Sequence, residues 1–326
     1  TEDGKTTVQI ELDYPAKTQG PVIEEMVRAK LVEAGIPADV KISQNIIAHE
    51  VQRGVKVFDS VRNIIAVSSG KGGVGKSTVS ANLALALQQE GAKVGLLDAD
   101  VYGPSQPTML GITDKPYSVD GKTLEPMIAH GLQVASVGVL IDPDQPMIWR
   151  GPLAVSALQQ LLKQTNWKDL DYLIVDMPPG TGDIQLSLSQ EVPLTGAVVV
   201  TTPQDIALMD ARKGLVMFEK VNVPILGIIE NMATHICSKC GHEEHIFGEG
   251  GAAKMAAQYG VDLLGELPLD INIRLSMDKG EPIVISEPDS KVAQVYRDIA
   301  RKLAIAISKK NKDYSAKMPS IKVSDT

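Results

Sequence analysis

Two short stretches of this chain bring together residue types that do chemistry. The first is Gly70-Lys71-Gly72-Gly73-Val74-Gly75-Lys76-Ser77, with Thr78 behind it, which fits G-x-x-x-x-G-K-[ST] without a mismatch. Its glycines let the backbone wrap closely and turn successive N–H groups toward phosphate oxygens. The helix expected from Ser77 onward adds its positive N-terminal end. Lys76 is therefore expected on the β and γ phosphates of a nucleotide, and the Ser77 hydroxyl on its Mg²⁺. The second stretch is His235-Ile236-Cys237-Ser238-Lys239-Cys240-Gly241-His242, which holds the only 2 cysteines of the chain. A disulfide framework is excluded, leaving metal or redox chemistry. Two-residue spacing lets both thiolates turn toward one metal, but the pair is only half of a tetrahedral Cys₄ set. Zinc on Cys237, Cys240 and two of His235, His242 and His245 within one chain is the alternative. A thioredoxin-like redox pair fits less well, because such a pair normally opens a helix directly after a strand.

Carboxylates complete the picture around the glycine loop. Leu96-Leu97-Asp98-Ala99-Asp100 ends an apolar strand, and ligands of open α/β sheets bind at that edge, so both acids can face the nucleotide. Tyr172-Leu173-Ile174-Val175-Asp176 has the Walker B form, and Asp176 is expected to help hold the water shell of Mg²⁺. Pro178-Pro179-Gly180-Thr181-Gly182-Asp183 follows directly and reads as a loop that senses the γ phosphate. Asn231 follows an apolar strand, where its amide can read an adenine edge, and Pro268 follows the last strand as a further adenine-pocket candidate.

These residues need a scaffold, and the apolar pattern supplies one. Val8, Ile10 and Leu12 alternate with polar residues, as in a half-buried strand. Val22, Ile23, Met26, Val27 and Leu31 recur at helical spacing, Gly35 and Pro37 stop the run, and Val40 and Ile42 mark a second strand. Residues 1–50 thus read as a small α+β unit and 51–62 as a linker. From Asn63 to residue 308 the pattern is α/β, apolar strands alternating with helices as in a mostly parallel sheet covered on both faces. The expected strands are 64–68, 93–97, 132–137, 172–176, 197–201, 225–230 and 262–266. Helices are expected at 77–89, 153–164, 207–221 and 292–307. Residues 309–326, rich in lysine and serine without a sustained period, are expected to form a mobile tail.

Taken together, the motifs resemble the Mrp/ApbC family of iron-sulfur cluster carriers, relatives of the MinD and ParA ATPases and of nitrogenase iron protein. The resemblance runs from about Arg62 to Ile307. Besides the glycine loop it rests on Asp98-Ala99-Asp100-Val101-Tyr102-Gly103-Pro104-Ser105, Trp149-Arg150-Gly151-Pro152, Asp176-Met177-Pro178-Pro179-Gly180-Thr181-Gly182-Asp183, Cys237-Ser238-Lys239-Cys240 and Phe247-Gly248. It implies a P-loop NTPase fold and a slow, switch-type ATPase. Its ATP site would comprise Gly70, Lys71, Gly72, Gly73, Val74, Gly75, Lys76, Ser77, Thr78, Asn231 and Pro268. Lys71 marks the deviant Walker A class, in which each subunit of a homodimer sends that lysine to its partner's nucleotide. Catalysis would then rest on Lys71, Lys76 and Asp100, the last orienting or deprotonating the attacking water. Mg²⁺ would rest on Ser77, Asp98 and Asp176. Cys237 and Cys240 of two subunits would share a bridging [4Fe-4S] cluster, passed on to recipient apoproteins with iron-sulfur assembly proteins as further partners. Residues 1–50 are similar to the later part of the small iron-sulfur assembly domain that precedes the ATPase in many members. That segment contains no cysteine, and a partner-docking role is expected for it.

Two other readings remain open. One is a MinD- or ParA-like positioning ATPase, which would need an amphipathic anchor or a basic surface. The other is a cluster-dependent reductase that passes electrons. Bulk composition bears on the first of these. Across 326 residues the formal net charge is -8, with 44% hydrophobic and 22% charged residues, so a general nucleic-acid binder, which needs a basic surface, is not expected. No apolar run approaches the length of a membrane span. Val292, Val295, Ile299, Ala300 and Leu303 are spaced as a packing face rather than an anchor. The N-terminus lacks the basic start and apolar stretch of a signal peptide, so the expected compartment is the cytoplasm. The chain begins with Thr1, not methionine, and strand-like sequence follows almost at once, as expected of a shortened or processed start.

Overall fold

The structure, a computed structural model, describes residues 6–52, 55–139, 151–237 and 239–313. Trp149-Arg150, Ser238 and most of the expected tail lie outside the described residues. The first unit is β1 (Thr6–Leu12), α1 (Gly20–Glu33) and β2 (Ala38–Gln44). Its two strands pair in parallel, with Val8 opposite Val40 and Ile10 opposite Ile42. The unit is fastened to the rest of the molecule by Glu90, whose side chain is fully buried. Glu90 accepts hydrogen bonds from Thr18 N (3.0 Å), Thr18 Oγ1 (2.6 Å) and Arg301 Nη1 (2.5 Å). Burying a carboxyl group is costly unless donors replace the water it loses.

The large domain follows as β3 (Val61–Ser68), α2 (Lys76–Gln89), β4 (Val94–Asp98), α3 (Gln106–Met109), β5 (Met127–Ala129), β6 (Leu132–Ser136), α4 (Gly151–Gln164), β7 (Leu170–Asp176), α5 (Asp183–Glu191), β8 (Gly196–Thr201), α6 (Asp205–Lys220), β9 (Ile225–Glu230), the short pair β10 (His235–Ile236) and β11 (Glu243–Glu244), α7 (Gly251–Tyr259), β12 (Leu263–Glu266), α8 (Ile271–Asp278), α9 (Ile283–Ser286) and α10 (Lys291–Ser308). Its sheet has eight strands in the order β12-β9-β8-β3-β7-β4-β6-β5. Seven are mutually parallel, and β5 joins the edge antiparallel to β6. Alternation splits each central strand between two cores. Ile65, Val67, Tyr172 and Ile174 face the layer of α2, α8, α9 and α10. Ile64, Ala66, Leu173 and Val175 face the layer of α4 to α7. Such two-sided burial is why these strands read as continuous apolar runs.

Every strand anticipated by the apolar pattern is present within two residues of its expected end, except that β3 starts three residues earlier, at Val61, shortening the expected linker. The pattern did not single out β5, α5, α7 or α8. These are short, flanked by glycine or proline, and offer too few turns for a helical period. The expected linker and the start of the expected tail both bond to the large domain or to the segment before it. Gln52, in the linker, donates Nε2 to Ser189 O at 2.7 Å and accepts from Leu194 N at 2.9 Å. The start of the expected tail runs along residues 48–50, with Glu50 N donating to Asn311 O (3.0 Å) and Asp313 N to Ala48 O (3.0 Å). Among the described residues no helix is long and apolar enough to cross a membrane.

Candidate functional site

Three parallel strands deliver the candidate residues to one edge of the sheet. The glycine loop leaves the C-terminal end of β3, and Asp98 and Asp176 are the last residues of β4 and β7. The β4–β7 register sets Asp98 beside Asp176, so their carboxylates share one face. The loop itself needs its glycines. Gly73 and Gly75 have φ of 81° and 82°, the left-handed region that side chains avoid. A Cβ on Gly75 would also stand 2.3 Å from Asn231 Nδ2.

The resulting cleft, of about 200 Å³, is lined by Ser69, Gly72, Gly73, Gly75, Lys76, Ser77, Thr78, Asp100, Ser105, Met109 and Pro179. An amine, a hydroxyl and a wound glycine backbone at the N-terminus of α2 form the donor set that a Mg²⁺-bound nucleotide requires. The residues present fit that group.

Beneath the cleft the chain satisfies its own charges. Lys76 Nζ lies 2.5 Å from Asp176 Oδ1 and 3.1 Å from Ser77 Oγ. Asp176 also accepts from Ser80 Oγ at 2.9 Å and, through Oδ2, from Gln106 Nε2 at 2.8 Å. The same Gln106 nitrogen donates to Ser77 O at 2.9 Å. Two acceptors around it fix the orientation of that amide. Gln106 therefore ties the loop after β4 to both the glycine-loop helix and Asp176. Composition and spacing carried no signal for this role: Gln106 opens the four-residue helix α3, too short to show a period.

The two acids of β4 separate in role. Asp100 lines the cleft and spends Oδ1 on the N–H groups of Tyr102 and Gly103, both at 3.2 Å. Burial raises its carboxyl above the ordinary carboxylate range, against the opposing pull of Lys76. Asp98 lies behind, fully buried. It accepts from Asp100 N (3.2 Å), Ser105 N (3.1 Å), Gln106 N (3.1 Å) and Ser136 Oγ (2.9 Å). Burial, and then the nearby charge of Asp176, push it from 3.8 up to about 7. The donors around Asp98 come from the 99–106 loop and β6 and so shape that loop.

This geometry makes a prediction for the nucleotide-free, Mg²⁺-free protein. A carboxyl titrating near 7 when folded and near 3.8 when unfolded holds its proton longer in the folded state. Its contribution to stability therefore falls as pH rises between those values. Denaturant midpoints at pH 5 and pH 8 should show that fall, and Asp98→Asn should flatten it. A variant with the parent's full pH slope would assign the dependence to other groups.

Asn231 is buried and donates Nδ2 to Val74 O at 2.9 Å. One of its two N–H groups thus braces the glycine loop from below, which leaves Oδ1 and the second N–H for an adenine edge. Pro268 is half-buried beside Leu267, which closes the end of β9 by donating to Glu230 O at 2.8 Å. Lys71 is half-exposed at the mouth of the loop, with its carbonyl taken by Ser69 Oγ at 2.9 Å. In the loop after β7, Gly180 N donates to Ser69 O at 2.9 Å, so that loop touches the glycine loop directly.

The cysteines sit on the same edge of the sheet, past β9. The strands β10 and β11 form a small antiparallel hairpin, with His235 opposite Glu244 and Ile236 opposite Glu243. Cys237 N donates to His242 O at 2.9 Å and Gly241 N to Cys237 O at 2.8 Å. Gly241, at φ 71°, makes the turn back. Cys240 is exposed and Cys237 half-exposed. The backbone N–H groups of Lys239 and Cys240, followed by the Cys240 thiol, hold the Cys237 thiol below its usual range. Such a lowered thiol is the form that binds metal.

Two of the histidines near the cysteines take part in hydrogen bonding around the hairpin. Nδ1 of His235 donates to Leu269 O at 3.1 Å and Nδ1 of His245 to Ala233 O at 2.9 Å, which fixes the base of the hairpin. Among the described residues no group of three or more His, Cys, Asp or Glu is placed to hold a metal ion.

Comparison with known proteins follows the same lines. Residues 60–304 match the family model described as ParA, NUBPL iron-transfer P-loop NTPase. A Salmonella typhimurium protein named iron-sulfur cluster carrier protein is 55% identical over 303 residues, covering 91% of this chain and 82% of that protein. The mouse iron-sulfur cluster transfer protein NUBPL is 51% identical over 247 residues, covering 75% of this chain and 77% of its own length. Among solved structures, the Archaeoglobus fulgidus nucleotide-binding protein in complex with ADP superposes with a TM-score of 0.63. It is 37% identical and covers 73% of this chain and 93% of that one. Pyrococcus furiosus cell division ATPase MinD gives a TM-score of 0.57 at 25% identity, covering 74% and 98%.

Proposed function

Because the chain belongs to the ParA/NUBPL family of iron-transfer P-loop NTPases, we propose that it is an ATP-dependent iron-sulfur cluster carrier. Acting as a homodimer, it binds a [4Fe-4S] cluster between two subunits and passes it to recipient apoproteins. The observation that carries this reading is the exposed Cys237/Cys240 hairpin, half a ligand set, standing on the same sheet edge as a complete phosphate loop.

The chain's own groups suggest how each part works. On nucleotide binding Lys76 leaves Asp176 for the β and γ phosphates, and Asp176 keeps Ser80 and Gln106 as partners. Ser77 and, once freed of the lysine, Asp176 are the residues that would hold Mg²⁺ and its water shell. Bound there, the ion would supply charge neutralisation at the phosphates. Asp100, facing the cleft with a raised affinity for protons, orients the attacking water and takes its proton. Lys71 reaches the nucleotide of the second subunit, and Asn231 Oδ1 with Pro268 borders the adenine. The cluster is cargo: two subunits each give two thiolates, and an exposed hairpin leaves it open to attack by a recipient's cysteines.

Anaerobic reconstitution with iron and sulfide tests the reading. The expected result is about four irons per two chains, a dimer on gel filtration, and loss of both with Cys237→Ser or Cys240→Ser. Zinc bound at one ion per chain, with no iron uptake, would sink it.

A further inference from the structure

Outside the nucleotide cleft and the cysteine hairpin, one groove stands apart in its chemistry. It has a volume of about 480 Å³ and runs between α5 and α6, opening beside Thr181 in the loop after β7. Its floor is apolar, made by Leu186 of α5 with Val216 and Met217 of α6. Its rim is basic: Arg212, Lys213 and Lys220 are all exposed. The spacing explains the arrangement, since Arg212, Val216 and Lys220 recur every four residues and share one side of α6. Of the three cations, Lys213 alone has an ion-pair partner among the described residues, Asp210 at 2.9 Å. On a chain whose formal net charge is -8, an apolar trough rimmed by three cations, two of them unpaired, is complementary to an acidic, apolar segment of another protein.

We propose that this groove docks an acidic, apolar segment of the recipient protein, an inference that rests on the carrier reading above. Leucine-like side chains fill the trough over Leu186, Val216 and Met217, and carboxylates meet Arg212 and Lys220. The site is placed to respond to nucleotide. Thr181 follows Gly180, whose N–H is bonded to Ser69 O at the end of β3. The start of α5 is held by Gln185, which accepts from Gly182 N at 2.6 Å and donates to Pro178 O at 2.9 Å. A change in the loop that senses phosphate therefore moves one wall of the groove, so recipient affinity follows the nucleotide state.

The experiment uses the full chain and two probes. A short fluorescein-labelled peptide of glutamate and leucine is titrated by anisotropy, with its lysine-leucine counterpart as control. An acidic [4Fe-4S] apo-ferredoxin serves as recipient in cluster transfer. Expected are binding of the acidic peptide only, and at least about tenfold weaker binding by Arg212→Glu/Lys220→Glu, since each charge pair changes from attraction to repulsion. The same variant should load cluster and turn over ATP as the parent does but transfer at least about tenfold more slowly. Peptide binding or transfer unchanged by the variant overturns the proposal, as does binding of phosphatidylglycerol vesicles through these residues in place of the peptide. A parent protein that loads no cluster defeats the carrier reading instead, and the peptide titration still decides the groove.

Discussion

Lys76→Met is expected to abolish ATP turnover, by a factor of about 10³ or more, and to destabilise the nucleotide-free protein at the same time. Both effects follow from one buried pair. Lys76 is 5% exposed and Asp176 0%, so removing the ammonium deprives the transferring phosphates of their cation and leaves a buried carboxylate short of its charge partner. Breaking a buried pair from one side costs about 3–5 kcal/mol. Here the bonds from Ser80 and Gln106 place the loss at the lower end of that range. The two effects separate in Lys76→Met/Asp176→Asn, which should recover most of the stability and none of the turnover. Thermal melts and phosphate release on the three proteins decide the matter. A double variant no more stable than Lys76→Met would mean that the pair is not what Lys76 contributes to the resting fold.

Gly70→Ala is expected to be the most damaging of the glycine-to-alanine changes among the described residues. A Cβ there would lie 2.1 Å from Asp210 C, 2.2 Å from Asp210 O and 2.5 Å from Ala211 N. All three are backbone atoms within α6, so no rotamer change relieves the overlap. Either the loop or the helix has to shift, at a cost of at least about 3 kcal/mol, and nucleotide binding should be lost with the loop's shape. Gly72→Ala provides the contrast. Nothing lies within 4 Å of the position its Cβ would take, so that variant should fold like the parent. Chemical denaturation and titration with a fluorescent nucleotide would read both. A Gly70→Ala protein with the parent's denaturation midpoint would show that α6 is not packed against the loop in solution.

Gly70 also shows where sequence reading stops. The phosphate-loop string requires a glycine at that position, and the usual reason is access of the backbone to phosphate. The structure adds a second reason, the backbone of α6 pressed against it from a segment 140 positions later. The same division runs through the acids. That Asp98 and Asp176 end apolar strands was legible, because an apolar run must stop where the chain meets solvent or a ligand. That they stand side by side, that one is shared among four donors and the other paired with Lys76, depends on β4 and β7 being neighbours in the sheet. Strand order is not encoded in any local window.

The amino-acid sequence by itself determined the phosphate loop, the alternation of strands and helices, the acids at the strand ends and the isolated cysteine pair. Each is a local pattern, set by backbone freedom, periodicity or ligand spacing over a few residues. Tertiary structure alone decided what touches those residues. It turned Gln106 and Asn231 into braces of the glycine loop and His235 and His245 into anchors of a hairpin. It also set Leu186 of α5 against the basic side of α6 to make a groove. These contacts join residues tens to more than a hundred positions apart, and they exist because packing two helical layers on one sheet brings distant segments together, where most buried polar groups must find a partner within the protein.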